Sequence, residues 1–397
     1  MEEYTKTITK NRRKGFVLIS ALLITSISVI ILIPYVSGVL TDLRLTSIIN
    51  NSTVALDLAE AGAERAIWEI GYNSKTTDFT ILLSSLSQGE YEATVIFPDS
   101  NSATIKSYGY VPDKALSKAK KIVVVTYSIH RAFGKAIAGV DSITMSGQAS
   151  TDSYDSSLGE YNAMVDGVLN IGQEGDIASN GAITLGSKVY INGDANPGAD
   201  DPFSGTPPVS GSYGTLQVPL SVDPIVLPED ISSVNDNELI TITTEEGTTP
   251  YTGGPDVSLA STTVLTLPGG TFYFTSITLA GQSSINVTGA STVYIDGGAV
   301  DVDITGQGIM NSGLPTNLII YYTGTNIKLA GQASFSGAIY APLATVTMSG
   351  QADIYGSIVC GSSIDSGQAA IHYDENLADV MPPFVVNKVT SWQEVQE

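Results

Sequence analysis

Cysteine and histidine are almost missing from this chain: one and two, respectively, in 397 residues. The lone Cys360 excludes an intramolecular disulfide and any Cys-based zinc site. It sits in an apolar strand pattern, Ser357-Ile358-Val359-Cys360, and is expected to be a small buried hydrophobe. With only His130 and His372, a zinc centre or a Ser-His-Asp triad has almost no material. Basic residues are scarce too, 18 Lys and Arg against 40 Asp and Glu, for a net charge of −22. Such a surface repels phosphate backbones, so nucleic acid is not an expected partner. There is no G-x-x-x-x-G-K-[ST] loop, so the chain is not a nucleotide-driven motor. Charged residues make up only 15% while glycine numbers 39, a balance typical of β-rich proteins outside the cell. Nothing in this composition calls for a cofactor.

What is present begins with a basic cluster, Arg12, Arg13 and Lys14, followed by Gly15 and then Phe16, which opens an apolar run to Leu40. A secretory signal has an apolar core of about 7–15 residues and a small-residue cleavage site. Here the run is about 25 residues, long enough to cross a bilayer as one helix, and no A-x-A site closes it. The basic flank holds the N-terminus on the cytoplasmic side. A plain single-pass anchor would show the same flank. The order of charge, Gly, Phe and apolar run resembles the prepilin-peptidase site of type IV pilin-like proteins. That resemblance implies a leader, residues 1–15, cut between Gly15 and Phe16. Losing five basic and two acidic side chains with it would take the net charge from −22 to −25.

Leu45, Ile48, Ile49, Leu56, Ala59, Ala63, Ile67 and Ile70 recur at three- and four-residue steps, the stripe of an amphipathic helix. One helix is expected over 16–72, about 85 Å at 1.5 Å per residue, with Pro34 kinking it or melting a turn. The stretch from Leu56 to Ile67, rich in Ala and Glu, resembles the helix of PilX-type and K-type minor pilins. In major pilins the fifth residue after the cleavage glycine is a glutamate; here it is Ser20. A charge at that depth is costly unless paired, and K-type subunits also lack it. The resemblance therefore implies a tip, priming or accessory subunit. Its implied partners are a prepilin peptidase, other pilin-like subunits, an inner-membrane assembly platform and the lipid bilayer.

Three runs rich in Val, Ile, Tyr and Thr follow, at 90–97, 103–111 and 121–130, separated by Pro-Asp turn signals. They predict a small antiparallel module over 73–136 packed on the helix. His130 ends the third run and reads as structural or solvent-facing.

From residue 137 onward one pattern returns. Ile143-Thr-Met-Ser-Gly-Gln-Ala149 recurs at 277–283, 327–333 and 346–352, with shorter echoes elsewhere. The Gly-Gln pairs are Gly147-Gln148, Gly172-Gln173, Gly281-Gln282, Gly306-Gln307, Gly331-Gln332, Gly350-Gln351 and Gly367-Gln368. Successive glycines are 25, 109, 25, 25, 19 and 17 residues apart. Periods of this size with short alternating strands signal a solenoid. A parallel β-helix over 137–377 is expected, right-handed by the crossover rule, with glycine at each corner and the glutamines stacked as a ladder. A β-sandwich with coincidentally similar turns is the competing fold. Residues 194–270 hold most of the prolines and read as an excursion that wraps or caps the solenoid. Residues 378–397 read as a C-terminal tail with a flexible end.

Residues 271–377 resemble a domain fused to PilX-like N-termini in bacterial surface proteins. The resemblance rests on Gly270-Thr-Phe-Tyr-Phe274, Val293-Tyr-Ile-Asp-Gly297, Gly337-Ala-Ile-Tyr-Ala-Pro342 and Ile371-His-Tyr-Asp-Glu375. It implies an architecture and a compartment, not a reaction. The carboxylates a glycosidase would need could come from Asp301 and Asp303 with Asp296 or Asp353, and calcium from Asp152 and Asp155 or Asp200 and Asp201. No D-x-D-x-D-G loop supports the latter. The expected fold class is α+β: a long transmembrane pilin-type helix with a small antiparallel sheet, then a mainly-β right-handed solenoid. The expected function is a non-enzymatic minor pilin-like or cell-surface protein with a structural, adhesive or binding role, surface polysaccharide being one candidate ligand. A membrane-anchored carbohydrate-active enzyme and a bactofilin-like structural polymer are the alternatives.

Overall fold

The computed structural model describes residues 2–395 except 73–74, 76, 100–101, 130, 199–208, 217–218, 298–301, 312, 381 and 384–387. The side chains of 2–18, 72, 99 and 309 also lie outside the description, and with them those of Gly15 and Phe16. His130, Asp200, Asp201 and Asp301 fall there as well. The chain divides into two compact units, 1–129 with 387–397, and 130–386.

In the first unit α1 spans Glu2–Tyr72 without interruption. Pro34 lies inside it, and no turn is melted there. The apolar N-terminal part reaches a mean hydropathy of 2.4 and is long enough to cross a membrane. The C-terminal half packs on a sheet of β1 (Phe79–Leu86), β2 (Gly89–Asp99), β3 (Ser102–Val111) and β4 (Ala119–Ser128), all antiparallel. Ala59, Ala63, Ala66 and Ile70 are buried against Ala93, Val95, Ile105, Val123 and Val125. The small helix residues let the backbones close up. A Cβ on Gly109 of β3 would stand 2.0 Å from the Ala55 carbonyl oxygen. The sheet covers only this half, so Leu45, Ile48 and Ile49 are exposed rather than packed as part of the stripe.

Two features of this sheet correct the sequence-based expectation. A first strand, β1, precedes the three expected runs. The C-terminal tail is not a loose end: its strand Lys388–Val395 pairs antiparallel with β4, Trp392 opposite Val125 and Glu394 opposite Val123. Lys121 and Glu394 form an ion pair across that pairing.

Among the described residues of the second unit, 21 strands join one hydrogen-bonded network, dominated by parallel pairs. β5 (Ile137–Met145) and β6 (Ser150–Tyr154) belong to it, and the strands fall into three columns. One column stacks Asp256–Leu259, Ser276–Leu279, Val302–Ile304, Asn326–Leu329, 345–348, 362–365, 142–145 and Ala182–Leu185. Alternate residues turn inward: Ile277 and Leu279, Val302 and Ile304, Ile327 and Leu329, Val346 and Met348 are all buried. Burial of each such side chain is worth about 1.5–3 kcal/mol, and the column repeats it at every level. Parallel strands carry helices or crossovers between them in most folds; here the other two columns are the crossovers.

The stacking order differs from the chain order. The coil at 137–154 sits against the last coil, with Ile358 beside Ile137, Ser363 beside Ile143 and Ile371 beside Thr151. From there the chain adds coils outward through Ile177–Ser179 and Ala195–Asn196. It then returns along the outside of the stack over 219–240. On the way Leu220 exchanges hydrogen bonds with Asn180, the Asp223 carbonyl accepts from Tyr340 at 2.6 Å, and Asp236 and Asn237 bind the backbone of Thr271 and Tyr273. Leu220, Val222, Ile225 and Leu227 pack on the core from outside. The hairpin of Thr241–Thr244 and Gly247–Pro250 then lies antiparallel on Val264–Leu267, pairing an edge otherwise open to other chains. Thus the proline-rich stretch contributes both a strap along the stack and an end hairpin.

Candidate functional site

Six of the seven Gly-Gln pairs form one line. Gly147, Gly281, Gly306, Gly331, Gly350 and Gly367 have φ between 69° and 80°. Each following Gln amide donates to the carbonyl of the corner below, at 2.6–2.8 Å. The side-chain amides continue the line: Gln282 to Gln307 at 2.9 Å, Gln307 to Gln332 at 2.9 Å, Gln332 to Gln351 at 3.2 Å, Gln351 to Gln368 and Gln368 to Gln148 at 2.8 Å each. Ser261, with φ 58°, occupies the next corner without a glutamine. Gly172-Gln173 is not part of this line, a correction to the repeat reading. Gly172 lies in the connection after β6, where its amide bonds the Ser153 carbonyl at 2.6 Å. That connection is an outward loop and not a coil, so the Gly-Gln resemblance there is coincidental.

A second site is built from parts the sequence treats separately. The loop 155–176 is fastened to the last coil by buried polar groups. Asp374 accepts from the Ser156 amide at 3.1 Å and its hydroxyl at 2.7 Å. Asp155 accepts from Ser157 and from Asn376 Nδ2, the latter at 2.6 Å, and the Ser157 bond first, then Asn376, holds its carboxyl below the ordinary range. This anchoring lays Tyr161 over His372, ring centroids 3.8 Å apart. Asp152 accepts from Tyr161 at 2.6 Å and contacts His372 Nδ1 at 2.6 Å, which fixes both rings. The calcium pairing considered for Asp152 and Asp155 therefore finds both carboxylates engaged with protein donors.

Tyr154 and Tyr355 complete the wall. Tyr154 meets Tyr161 at 5.7 Å and 79° and Tyr355 at 6.4 Å and 89°, while Tyr161 meets Tyr355 at 5.9 Å and 62°. Such edge-to-face contacts are the favourable arrangement for aromatic pairs. Burial raises the phenol pKa of all three, with Asp152 adding to the shift of Tyr161. Burial likewise raises the carboxyl of Asp353 beside them. Beyond the rings opens a cleft of about 520 Å³, lined also by Glu160, Asn311, Leu314, Ser334 and Ser336. Sequence reading singled out Asp152, Asp353 and His372 individually. Tyr161 and Tyr355 gave no signal, since they lie on a loop and a coil nearly 200 residues apart.

The other candidates are scattered. Asp296 accepts from Tyr273 and Thr323, and Asp303 pairs with Lys328 at 3.6 Å, on coils away from Asp353. Cys360 is fully buried, and burial raises its thiol pKa. Among the described residues no group of three or more His, Cys, Asp or Glu could hold a metal ion. Ser20 is half-exposed on the apolar part of α1.

Residues 229–380 match the family described as Domain of unknown function (DUF7305). The matched stretch begins in the strap and ends just past the last coil. No curated protein matches the chain. The crystal structure of competence-associated pilin ComZ from Thermus thermophilus aligns at 14% identity, over 87% of this chain and 98% of that one, with a TM-score of 0.37. A superposition that loose does not establish a shared fold.

Proposed function

We propose that this chain is a pilin-like surface protein, inserted in the cytoplasmic membrane by its N-terminal helix and presenting its second unit outside. The observation that carries the reading is the order Arg12-Arg13-Lys14-Gly15-Phe16, which leads into an unbroken apolar helix whose far half is covered by an antiparallel sheet. A prepilin peptidase would cut between Gly15 and Phe16, and the freed helix would join other pilin-like subunits through the assembly platform. The three columns are read as a right-handed parallel β-helix whose Gly-Gln corners set the coil. Its role is structural or adhesive and not enzymatic. The tyrosine wall near Asp152 is a fixed surface, suited to holding a ligand.

Ser20 in place of the usual glutamate favours an accessory or tip subunit over a bulk one. Quantitative mass spectrometry of sheared surface fibres should find this protein as a minor component beside a more abundant pilin-like subunit. Its recovery as the dominant fibre protein would overturn that assignment.

A further inference from the structure

We infer that the cleft beside Tyr154, Tyr161 and Tyr355 is a binding site for a neutral saccharide. This inference concerns the second unit alone and does not depend on the pilin-like reading. At about 520 Å³ the cleft lies within the roughly 300–1,000 Å³ usual for small-ligand sites, which combine aromatic walls with a few placed polar groups. Sugar rings present apolar C–H faces that fit the electron-rich faces of tyrosines, and hydroxyls that need hydrogen-bonding partners. Here Ser334 and Glu160 line the same space as the rings.

Three observations narrow the ligand class. The rings are held before any ligand arrives: Asp152 ties Tyr161, His372 stacks under it, and Tyr154 and Tyr355 brace each other. A prearranged wall loses little side-chain entropy on binding. Among the described lining residues there is no Lys or Arg, and Glu160 is the single charged one. In a chain of net charge −22, that disfavours uronates, sulfated sugars and phosphates. The third observation concerns cations. The tyrosine centroids, 5.7–6.4 Å apart, place the rings in contact with one another, so they do not enclose the box in which aromatic cages hold ammonium groups.

The test is calorimetric titration of the full-length chain, solubilised in a detergent without a sugar headgroup. The probes are hexasaccharides of β-1,4-glucose, α-1,4-glucose, β-1,3-glucose and β-1,4-N-acetylglucosamine, with oligogalacturonate and tetramethylammonium as charged controls. At least one neutral probe should saturate with a Kd below about 1 mM. Tyr355→Ala should weaken it at least about tenfold, as loss of a central aromatic contact does, while Tyr355→Phe retains it. Ser334→Tyr, which fills the cleft from the strand surface, should block binding with the circular dichroism of the fold unchanged. This second variant keeps the test decisive if Tyr355→Ala does not fold. Failure of every neutral probe to saturate, charged controls binding as tightly, or unchanged affinity in folded Tyr355→Ala or Ser334→Tyr would each overturn the inference. Leader cleavage and membrane insertion are not read by this experiment, so its failure leaves the pilin-like reading separately testable.

Discussion

Gly356→Val should be among the most damaging single substitutions in the second unit, costing about 2–6 kcal/mol. Gly356 has φ 149° and pairs with Gly337, φ 158°, at the bend between 353–355, which pairs with 370–372, and 358–360, which pairs with 137–139. A Cβ on Gly356 would stand 1.7 Å from the Gly337 carbonyl oxygen, and that atom belongs to backbone held on both sides by neighbouring coils. Backbone strain at a left-handed position costs about 1–3 kcal/mol, and forced displacement of packed neighbours adds about 1–3 kcal/mol. Gly331→Val, at a ladder corner with φ 80° and a Cβ distance of 2.6 Å to the Gly306 oxygen, should cost about 1–3 kcal/mol. Lys328→Gln, which removes a 3.6 Å ion pair between an exposed lysine and the part-buried Asp303, should stay within about 0.5 kcal/mol. Urea titration of the full-length chain, read by pulsed hydrogen exchange in peptides from 334–365, ranks the three. Because coils contact mainly their neighbours, the damage should also broaden the transition. Midpoints for Gly356→Val and wild type that coincide would remove the close-approach argument.

The second large effect concerns pH. Asp365 is fully buried at the level of Met348 and Met145, where its neighbours in the column are apolar. One carboxyl oxygen accepts from the Ser363 hydroxyl at 2.9 Å, while Oδ2 has no hydrogen-bond partner among the described residues. Burial pushes its pKa up to about 8. The folded state therefore holds the neutral acid, while the unfolded chain ionises near pH 4. An acid with a raised folded pKa binds more protons folded than unfolded, so stability falls as pH rises from about 4 to about 8. At about 1.36 kcal/mol per unit, the loss is on the order of 5 kcal/mol. Asp365→Asn, which mimics the neutral acid, should remove this dependence. The variant should match wild type near pH 4 and exceed it by several kcal/mol at pH 8, in urea titrations at each pH. Parallel stability curves for the two proteins across that range would show that Asp365 does not carry the effect.

Asp365 also shows where the repeat pattern was readable and where it was not. Counting back from Gly367 as from Gly350 places Asp365 at the level of Met348 and turns Ile364 outward, as the structure has it. The long helix was legible because its apolar run and alanine-rich stripe are local signals. The Gly-Gln corners were legible because the dipeptide returns in the same local context, two residues after an inward-facing position, although the spacing varies from 17 to 25 residues between 281 and 367. The two missed strands of the first unit lack such signals. β1 carries exposed Leu82 and Leu83 and does not alternate cleanly, while Lys388–Val395 is largely polar and finds its partner more than 250 residues away. The stacking of the last coil on the first was invisible for the same reason: parallel neighbours need no closeness in sequence. The tyrosine cleft inherits that difficulty, since its walls come from residues 154–161, 311–336 and 355 and meet only after the coils stack.

The N-terminus decides whether α1 is a processed pilin-type helix or a permanent anchor with a basic flank. Mass spectrometry of the protein recovered from the membranes of the cells that make it should find Phe16 as the first residue. Gly15→Leu should leave the leader attached, because a peptidase that binds an extended backbone beside the basic cluster has no room for a side chain at that position. A wild-type chain that still begins at Met1 in the membrane would contradict the pilin-like reading.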